Sequence, residues 1–472
     1  GLCWARPQEM KMISRYFKAF ATGVLATVTF ALASMATAAG PADATETTTP
    51  IKHFVVLMQE NHTFDNYFGT YPGADGIPEG TCMPRNPNKP KSKCVEPFPI
   101  GGRAVVDLEH RSLTHEAQFN GGAMDGFVWA LRSAGEDAET TMGYYDDKDI
   151  PYYWNIADEF VLFDRFFSSA SGGSIENHMY WLTGAPGRKA NEPSAIPDEG
   201  WGDIPTIFDR LEAAGISWKF YIQNYNPRIT IATPEVGDRG AQIVWVPLLA
   251  YPRYINNDKL FDKIVDLPEY FEDLANDTLP SVAFIVPSGA SEHPPGSIQA
   301  GERFVRSLIT GLMTSDSWES SAFMWTYDDW GGWYDHVKPP KVDKFGYGFR
   351  VPALMVSPYA RRGHIDSTTL DFTSPLKFIQ ENWGVDSLHR RDREANNFLS
   401  AFDFTKPPRE PILLGSDRGE EIAFQPKRHL IYTFYGLAIG IPFLIVTGAF
   451  VSRRRDSKQT RELLDGRAKD TE

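Results

Sequence analysis

Cysteine is scarce. There are three in 472 residues, and Cys3 lies ahead of everything that reads as a folded domain. That excludes a disulfide-dense scaffold and argues against a structural zinc site, which takes three or four ligands. Positive charge is in deficit too. Forty-seven Lys and Arg face 61 Asp and Glu, a formal charge of −14 with a pI of about 5.3. A broad nucleic-acid surface is excluded, since such surfaces need a local excess of positive charge. Any phosphate handled here must be met by a metal ion or a few placed cations. No 20–50-residue repeat is visible, so solenoids and propellers are excluded. With 42% hydrophobic and 23% charged residues, intrinsic disorder is out, and a chain this long can bury a sizeable core without disulfide staples.

What is present begins at the two ends, which the mean hydropathy of −0.33 conceals. Lys11, Arg15 and Lys18 precede an apolar run from Phe20 to Met35, and Ala36-Thr37-Ala38 supplies a small-residue cleavage pattern. This predicts a leader and signal peptide over 1–39, then a polar, Thr-rich spacer over 40–50. At the other end Leu430 to Val451 carries no charge and is long enough as a helix for a hydrocarbon core of ~30 Å. Arg453-Arg454-Arg455 follow at once, which places the tail of 453–472 in the cytoplasm. The expectation is an exported domain outside the cytoplasmic membrane, in the cell envelope, held by one transmembrane helix over 429–452. In that oxidising compartment Cys82 and Cys94, close together in a Pro/Lys-rich loop, are expected to pair.

Between these ends one grammar recurs. A short apolar run is followed by polar and small residues: Phe54–Met58 before Glu60-Asn61, Phe160–Phe163 before the Ser168–Ser174 stretch, Val282–Val286 before Glu292-His293, Ala322–Tyr327 before Asp328-Asp329, and Val351–Val356 before Ser357. Continuous rather than alternating apolar runs suit strands buried on both faces of a parallel sheet. Helical patterns lie between them at Pro205–Ala214, Glu302–Met313 and Ser374–Asn382. The fold class is therefore α/β, with chemistry collected outside the carboxyl ends of the strands. Residues 51–386 read as the main folded domain, the one on which any chemistry would sit, and 387–428, charged and Pro-containing, as an extension and linker.

Glu60-Asn61 at the end of a buried strand is awkward packing unless the pair binds something. Asp328 and Asp329 repel each other, and a cation resolves that repulsion. Gly331-Gly332 let the backbone pass close by. Ser174, after Ser171-Gly-Gly, is the candidate nucleophile, and a helix starting there would favour negative charge. The pattern is not a Gly-x-Ser-x-Gly elbow. His110, His115 and His293 each, taken alone, read more often as a hydrogen-bonded structural histidine than as a catalytic one.

Gln59-Glu60-Asn61-His62-Thr63-Phe64-Asp65-Asn66-Tyr67-Phe68-Gly69 resembles the opening signature of the bacterial phospholipase C/acid phosphatase phosphoesterase family, related in fold to alkaline phosphatase. Asn120–Gly126, Ser174–His178, Glu292-His293-Pro294, Thr326–Val337, Phe349–Pro352 and Val356–Tyr359 continue the resemblance in order. It implies an alkaline-phosphatase-like, mostly parallel sheet flanked by helices. It implies one or more divalent metal ions held by Glu60, Asn61, Ser174, Asp328 and Asp329, with Ser174 also the nucleophile. His110, His115 and His293 would line the phosphate pocket, His293 being favoured as general acid. The chain departs from the family at Glu176, where Pro is usual. The expected reaction is phosphoester hydrolysis through a phosphoserine, on a phospholipid or, alternatively, a small phosphomonoester. A non-catalytic envelope binding protein is the reading of a different class.

Overall fold

The computed structural model describes residues 46–422 apart from 90–92, 104, 190–191, 234–238 and 420. The expected signal peptide and the expected membrane helix lie outside the described residues. Among the described residues no helix is long and apolar enough to cross a membrane.

An eight-stranded sheet organises the chain. In sequence order its strands are β1 (His53–Gln59), β2 (Val161–Phe163), β3 (Trp218–Ile222), β4 (Ile264–Asp266), β5 (Val282–Val286), β6 (Ser321–Tyr327), β7 (Ala353–Val356) and β8 (His364–Asp366). Across the sheet the order is β8-β2-β7-β6-β1-β5-β3-β4. β7 pairs antiparallel with both its neighbours, and every other pairing is parallel. The sheet is thus mostly, not wholly, parallel. The apolar pattern of 351–356 marked a doubly buried strand correctly but carries no information on direction. The central strands β1, β5 and β6 are buried along nearly their whole length, which is why they read as continuous apolar runs.

The helices that matter for the site are α1 (Phe64–Phe68), α2 (Ser112–Phe119), α3 (Pro151–Glu159), α4 (Ser174–Thr183), α5 (Ile207–Ala214), α6 (Ile298–Met313) and α7 (Thr373–Trp383). α7 shows how helix and sheet lock together. Its Phe378 ring meets Phe54 of β1 edge-on at 4.8 Å, and the Asn382 amide donates to the Ile51 carbonyl at 2.9 Å. Residues 387–419 are not loose. Phe398, Ala401 and Phe402 are buried in the same core, and the buried Asp392 accepts from the backbone of Leu388 and His389, both at 2.7 Å. The Cys82–Cys94 disulfide is formed.

One register matters most. β1 and β6 pair in parallel from His53 opposite Ser321 to Gln59 opposite Tyr327. The next residues, Glu60 and Asp328, therefore leave the sheet side by side at its carboxyl edge, with the Asp328 amide still bonded to the Gln59 carbonyl at 3.0 Å. Two acidic motifs some 270 residues apart in sequence meet because two strands share an alignment.

Candidate active site

At that edge Asn61 turns the chain with φ of 67°, a left-handed conformation that asparagine tolerates better than most residues. Gly331 packs against it so closely that a Cβ there would collide with the Asn61 carbonyl oxygen, which explains the glycine after the two aspartates. Asp328 Oδ1 accepts from the amides of Asn61 (3.1 Å) and Asp329 (2.8 Å). Asp329 Oδ1 accepts from the Gly331 amide at 2.8 Å, and its Oδ2 accepts from Ser174 Oγ at 3.3 Å. Glu60, Asp328 and Asp329 are all buried.

Burial, then the charges of Asp328 and Asp329, hold the Glu60 carboxyl well above its ordinary range. Burial, then Asp328, raises Asp329 likewise. Two buried oxygens here have no hydrogen-bond partner, Asn61 Oδ1 and Asp328 Oδ2. Unpaired acceptors among three carboxylates are costly in a protein interior. A divalent cation resolves both problems, so the residues fit one.

Ser174 is the first residue of α4, whose remainder from Glu176 to Thr183 is buried. Asn177 pins the turn before it: Oδ1 accepts from the Ala170 amide at 2.9 Å, and Nδ2 donates to the carbonyls of Gly172 (3.2 Å) and Gly173 (3.3 Å). The turn thus holds without the family's usual proline. Glu176, in the proline's place, is fully buried and ion-paired with Arg188.

The three histidines part company. His110 Nε2 lies 3.2 Å from Asn61 Nδ2, and its Nδ1 lies 2.6 Å from the Leu108 carbonyl. Burial lowers its pKa, but Asp329, the Leu108 carbonyl and Asp107 outweigh that and raise it. His293 stands beside it, ring centroids 5.7 Å apart, with Nδ1 2.8 Å from the Pro294 carbonyl. His115 is placed otherwise. It stacks on Phe349 at 4.2 Å and meets Trp330 edge-on at 5.0 Å, with Nε2 buried and unpartnered and a pKa pushed down to about 3 by burial. Its ring contacts are those of an aromatic layer, not of the carboxylate cluster.

The sequence profile of the Phosphoesterase family matches residues 51–386, more than half of the chain. The chain belongs to that family. Phospholipase C A of Mycobacterium tuberculosis is 31% identical over 424 residues, covering 76% of this chain and 78% of the relative. Non-specific phospholipase C6 of Arabidopsis thaliana is 28% identical over 412 residues, covering 76% and 74%. Among solved structures, a protein in the alkaline phosphatase superfamily from Vibrio parahaemolyticus aligns over 82% of this chain and 85% of its own, at 13% identity and a TM-score of 0.37, a remote likeness.

In this Phosphoesterase family member, groups beyond the expected set also surround the site. His178 Nε2 lies 3.7 Å from Asp328 Oδ2, and burial lowers its pKa to about 4. The Ser174–His178 motif contained it, but a histidine four residues into a helix gave no sign of facing an acid on another strand. Glu292, next to His293, is fully buried and accepts from three tyrosine hydroxyls: Tyr67 (2.5 Å), Tyr153 (2.5 Å) and Tyr327 (2.8 Å). Burial raises its pKa to about 7 against the opposing tyrosine bonds.

A carboxyl raised on folding stabilises the folded state below its ordinary pKa, near 4.5, and that contribution disappears as pH rises through about 7. Glu302 behaves alike, raised by burial to about 7. Stability against urea is therefore expected to fall between pH 5 and 7.5, each such group contributing at most about 1.4 kcal/mol per pH unit. Glu292→Gln should flatten the slope measurably. An unchanged slope would show that Glu292 does not titrate there.

Proposed function

We propose that this Phosphoesterase family protein is a hydrolase of phosphate esters of phospholipase C type, acting through a phosphoserine at Ser174. The observation that carries this reading is the meeting of Ser174 Oγ with Asp329 beside two buried, unpartnered acceptors, Asn61 Oδ1 and Asp328 Oδ2. The names of the relatives support the lipid substrate, and the mostly parallel sheet fits the alkaline-phosphatase-like architecture implied by the sequence motifs.

Glu60, Asn61, Ser174, Asp328 and Asp329 offer oxygen donors only, a set suited to a hard divalent cation, which when bound supplies positive charge against a phosphoryl group and acidifies the serine hydroxyl. The chain's own residues account for the rest. Ser174 Oγ forms a bond to phosphorus as the bond from phosphorus to the glycerol oxygen breaks, and the hydroxyl proton leaves toward Asp329 Oδ2. The start of α4 favours the negative charge gathered on the phosphoryl oxygens. His293, its Nδ1 set 2.8 Å from the Pro294 carbonyl, uses Nε2 to carry a proton to the departing alcohol. Water then cleaves the serine–phosphorus bond, giving a proton to His293 while Asp329 returns the hydroxyl proton to Ser174, and the phosphorylated head group is released.

The test is hydrolysis of phosphatidylcholine beside p-nitrophenyl phosphate by pure protein supplied with Mn2+. Diacylglycerol and phosphocholine should be released with the higher kcat/KM. A preference for the monoester would favour the phosphatase alternative, and turnover of neither would favour a binding protein. We further propose an exported, membrane-anchored location, supported by the Cys82–Cys94 disulfide and the apolar run over 430–451. Release of the full-length chain from membranes by alkaline carbonate would overturn the anchor.

A further inference from the structure

On a chain of net charge −14, positive charge gathered at one place calls for a reason. Four cations, Arg361, Arg362, Lys406 and Arg409, line a pocket of about 410 Å3, within the usual range of small-ligand sites. The pocket is remote from Ser174. β7 runs antiparallel to β6, and its last residue, Val356, pairs with Phe323 near the start of β6. The residues that follow β7 therefore stand at the amino edge of the sheet, opposite the edge that carries Glu60 and Asp328.

The backbone bearing these cations is fixed. The Arg361 amide donates to the Ala401 carbonyl at 2.9 Å, the Asp403 amide to the Tyr359 carbonyl at 2.8 Å, and the Arg409 amide to the Pro358 carbonyl at 3.0 Å. The acids present do not balance the charge. Lys406 is paired with Asp403 at 3.0 Å and Arg362 with Glu159 at 2.5 Å. Arg361 Nε donates to the Ser400 carbonyl at 2.9 Å, and Arg409 Nη2 to the Glu159 carbonyl at 3.2 Å, both uncharged acceptors. Among the described residues neither guanidinium is ion-paired, and Arg409 Nε is buried with no hydrogen-bond partner. Burial holds the Arg409 guanidinium below its usual range; the Glu159 charge opposes this and that of Arg362 adds to it. An underused guanidinium among other cations is as awkward as the crowded carboxylates at the opposite edge, and an anion resolves it.

We propose that this pocket is a second anion site that takes a phosphate group, with Arg361 and Arg409 as its principal donors. A guanidinium fork offers two parallel N–H groups to two phosphate oxygens, and four cations against two acids match a dianion. Tyr359 and Pro407 supply apolar wall for an organic part. The site stands apart from the catalytic centre and does not rest on the activity proposed for it. Its phosphate has two sources, a small soluble phosphate or the head group of an anionic phospholipid.

The experiment is calorimetric titration of chelator-stripped full-length protein in neutral detergent with inorganic phosphate, repeated with monomeric dihexanoyl phosphatidylglycerol. Stripping the metal weakens any competing phosphate site at the catalytic centre. Saturable binding of at least one probe is expected, and Arg361→Gln should weaken it by about 10- to 100-fold, the scale of one hydrogen bond to a charged group. Arg361 is exposed, so this variant should keep the melting temperature and the kcat/KM of the wild type. Arg409→Gln should lose as much affinity; its guanidinium also lies over the Phe160 ring at 4.8 Å, and its melting temperature reports any cost to the fold. Binding of inorganic phosphate would identify a soluble ligand, and binding of the lipid alone a membrane head group. Binding of neither probe, or equal affinity in the wild type and Arg361→Gln, would overturn the site. An affinity changed by Asp329→Asn and not by Arg361→Gln would place the anion at the catalytic centre and overturn it as well.

Discussion

Ser174→Ala is expected to lower kcat on phosphatidylcholine by on the order of 10^4-fold or more, the scale seen when a covalent hydrolase loses its nucleophile. The reason is local. Ser174 Oγ donates to Asp329 at 3.3 Å, and Ser174 opens a largely buried helix of ten residues. Alanine keeps the start of the helix and all the acidic residues, so the fold and most of the cation affinity should survive. The loss should therefore fall on kcat and much less on KM. Quenching the wild type during turnover and measuring intact mass should reveal a phosphoryl adduct that the variant lacks. Undiminished turnover, or an adduct on any residue other than Ser174, would sink the mechanism.

The second large effect concerns Arg350, whose side chain is entirely buried. Its Nε donates to Asp335 Oδ1 at 2.9 Å, its Nη2 to Asp65 Oδ1 at 2.9 Å, and its Nη1 to the carbonyls of Asp75 and Asp164, both at 2.7 Å. The guanidinium also lies over the Phe64 ring at 4.5 Å. Arg350→Met keeps the volume roughly but strands Asp65 and Asp335 without their cation. A buried pair broken on one side costs about 3–5 kcal/mol, and that loss is expected in urea unfolding or as failure to accumulate folded protein. Arg350→Lys should recover little, since one ammonium cannot reproduce the fork. Arg350→Met with Asp335→Asn should recover part, because one stranded charge is gone. A single Met variant within about 0.5 kcal/mol of wild type, the range of an ordinary surface substitution, would refute the account.

Much of the sheet was legible because a strand buried on both faces must be apolar throughout. The expected runs at 54–58, 282–286 and 322–327 match β1, β5 and β6 within a residue at each end. β3, β4 and β8 were not foreseen; they are short and in part amphipathic, with Lys219 and Asp266 among their residues. The reversal of β7 was invisible because apolar content has no direction. Within the site, the acidic pairs and Ser174 stood out as polar groups placed where packing disfavours them. Arg350 did not, since a lone arginine in sequence gives no sign that the carboxylates of Asp65 and Asp335 will pair with it. The histidines were legible as residue types only: whether a ring faces carboxylates, as His110 does, or aromatic rings, as His115 does, depends on side-chain direction.

The shared alignment of β1 and β6 has a bearing on how such a protein can vary. An added or deleted residue inside 53–61 or 321–329 would shift one acidic motif along the sheet by about 3.3 Å and turn it to the opposite face, destroying the cation site while leaving hydrophobic content unchanged. Length changes in descendants of this chain should therefore collect in the connections between strands, and these two nine-residue windows should stay ungapped even where most of their side chains have drifted.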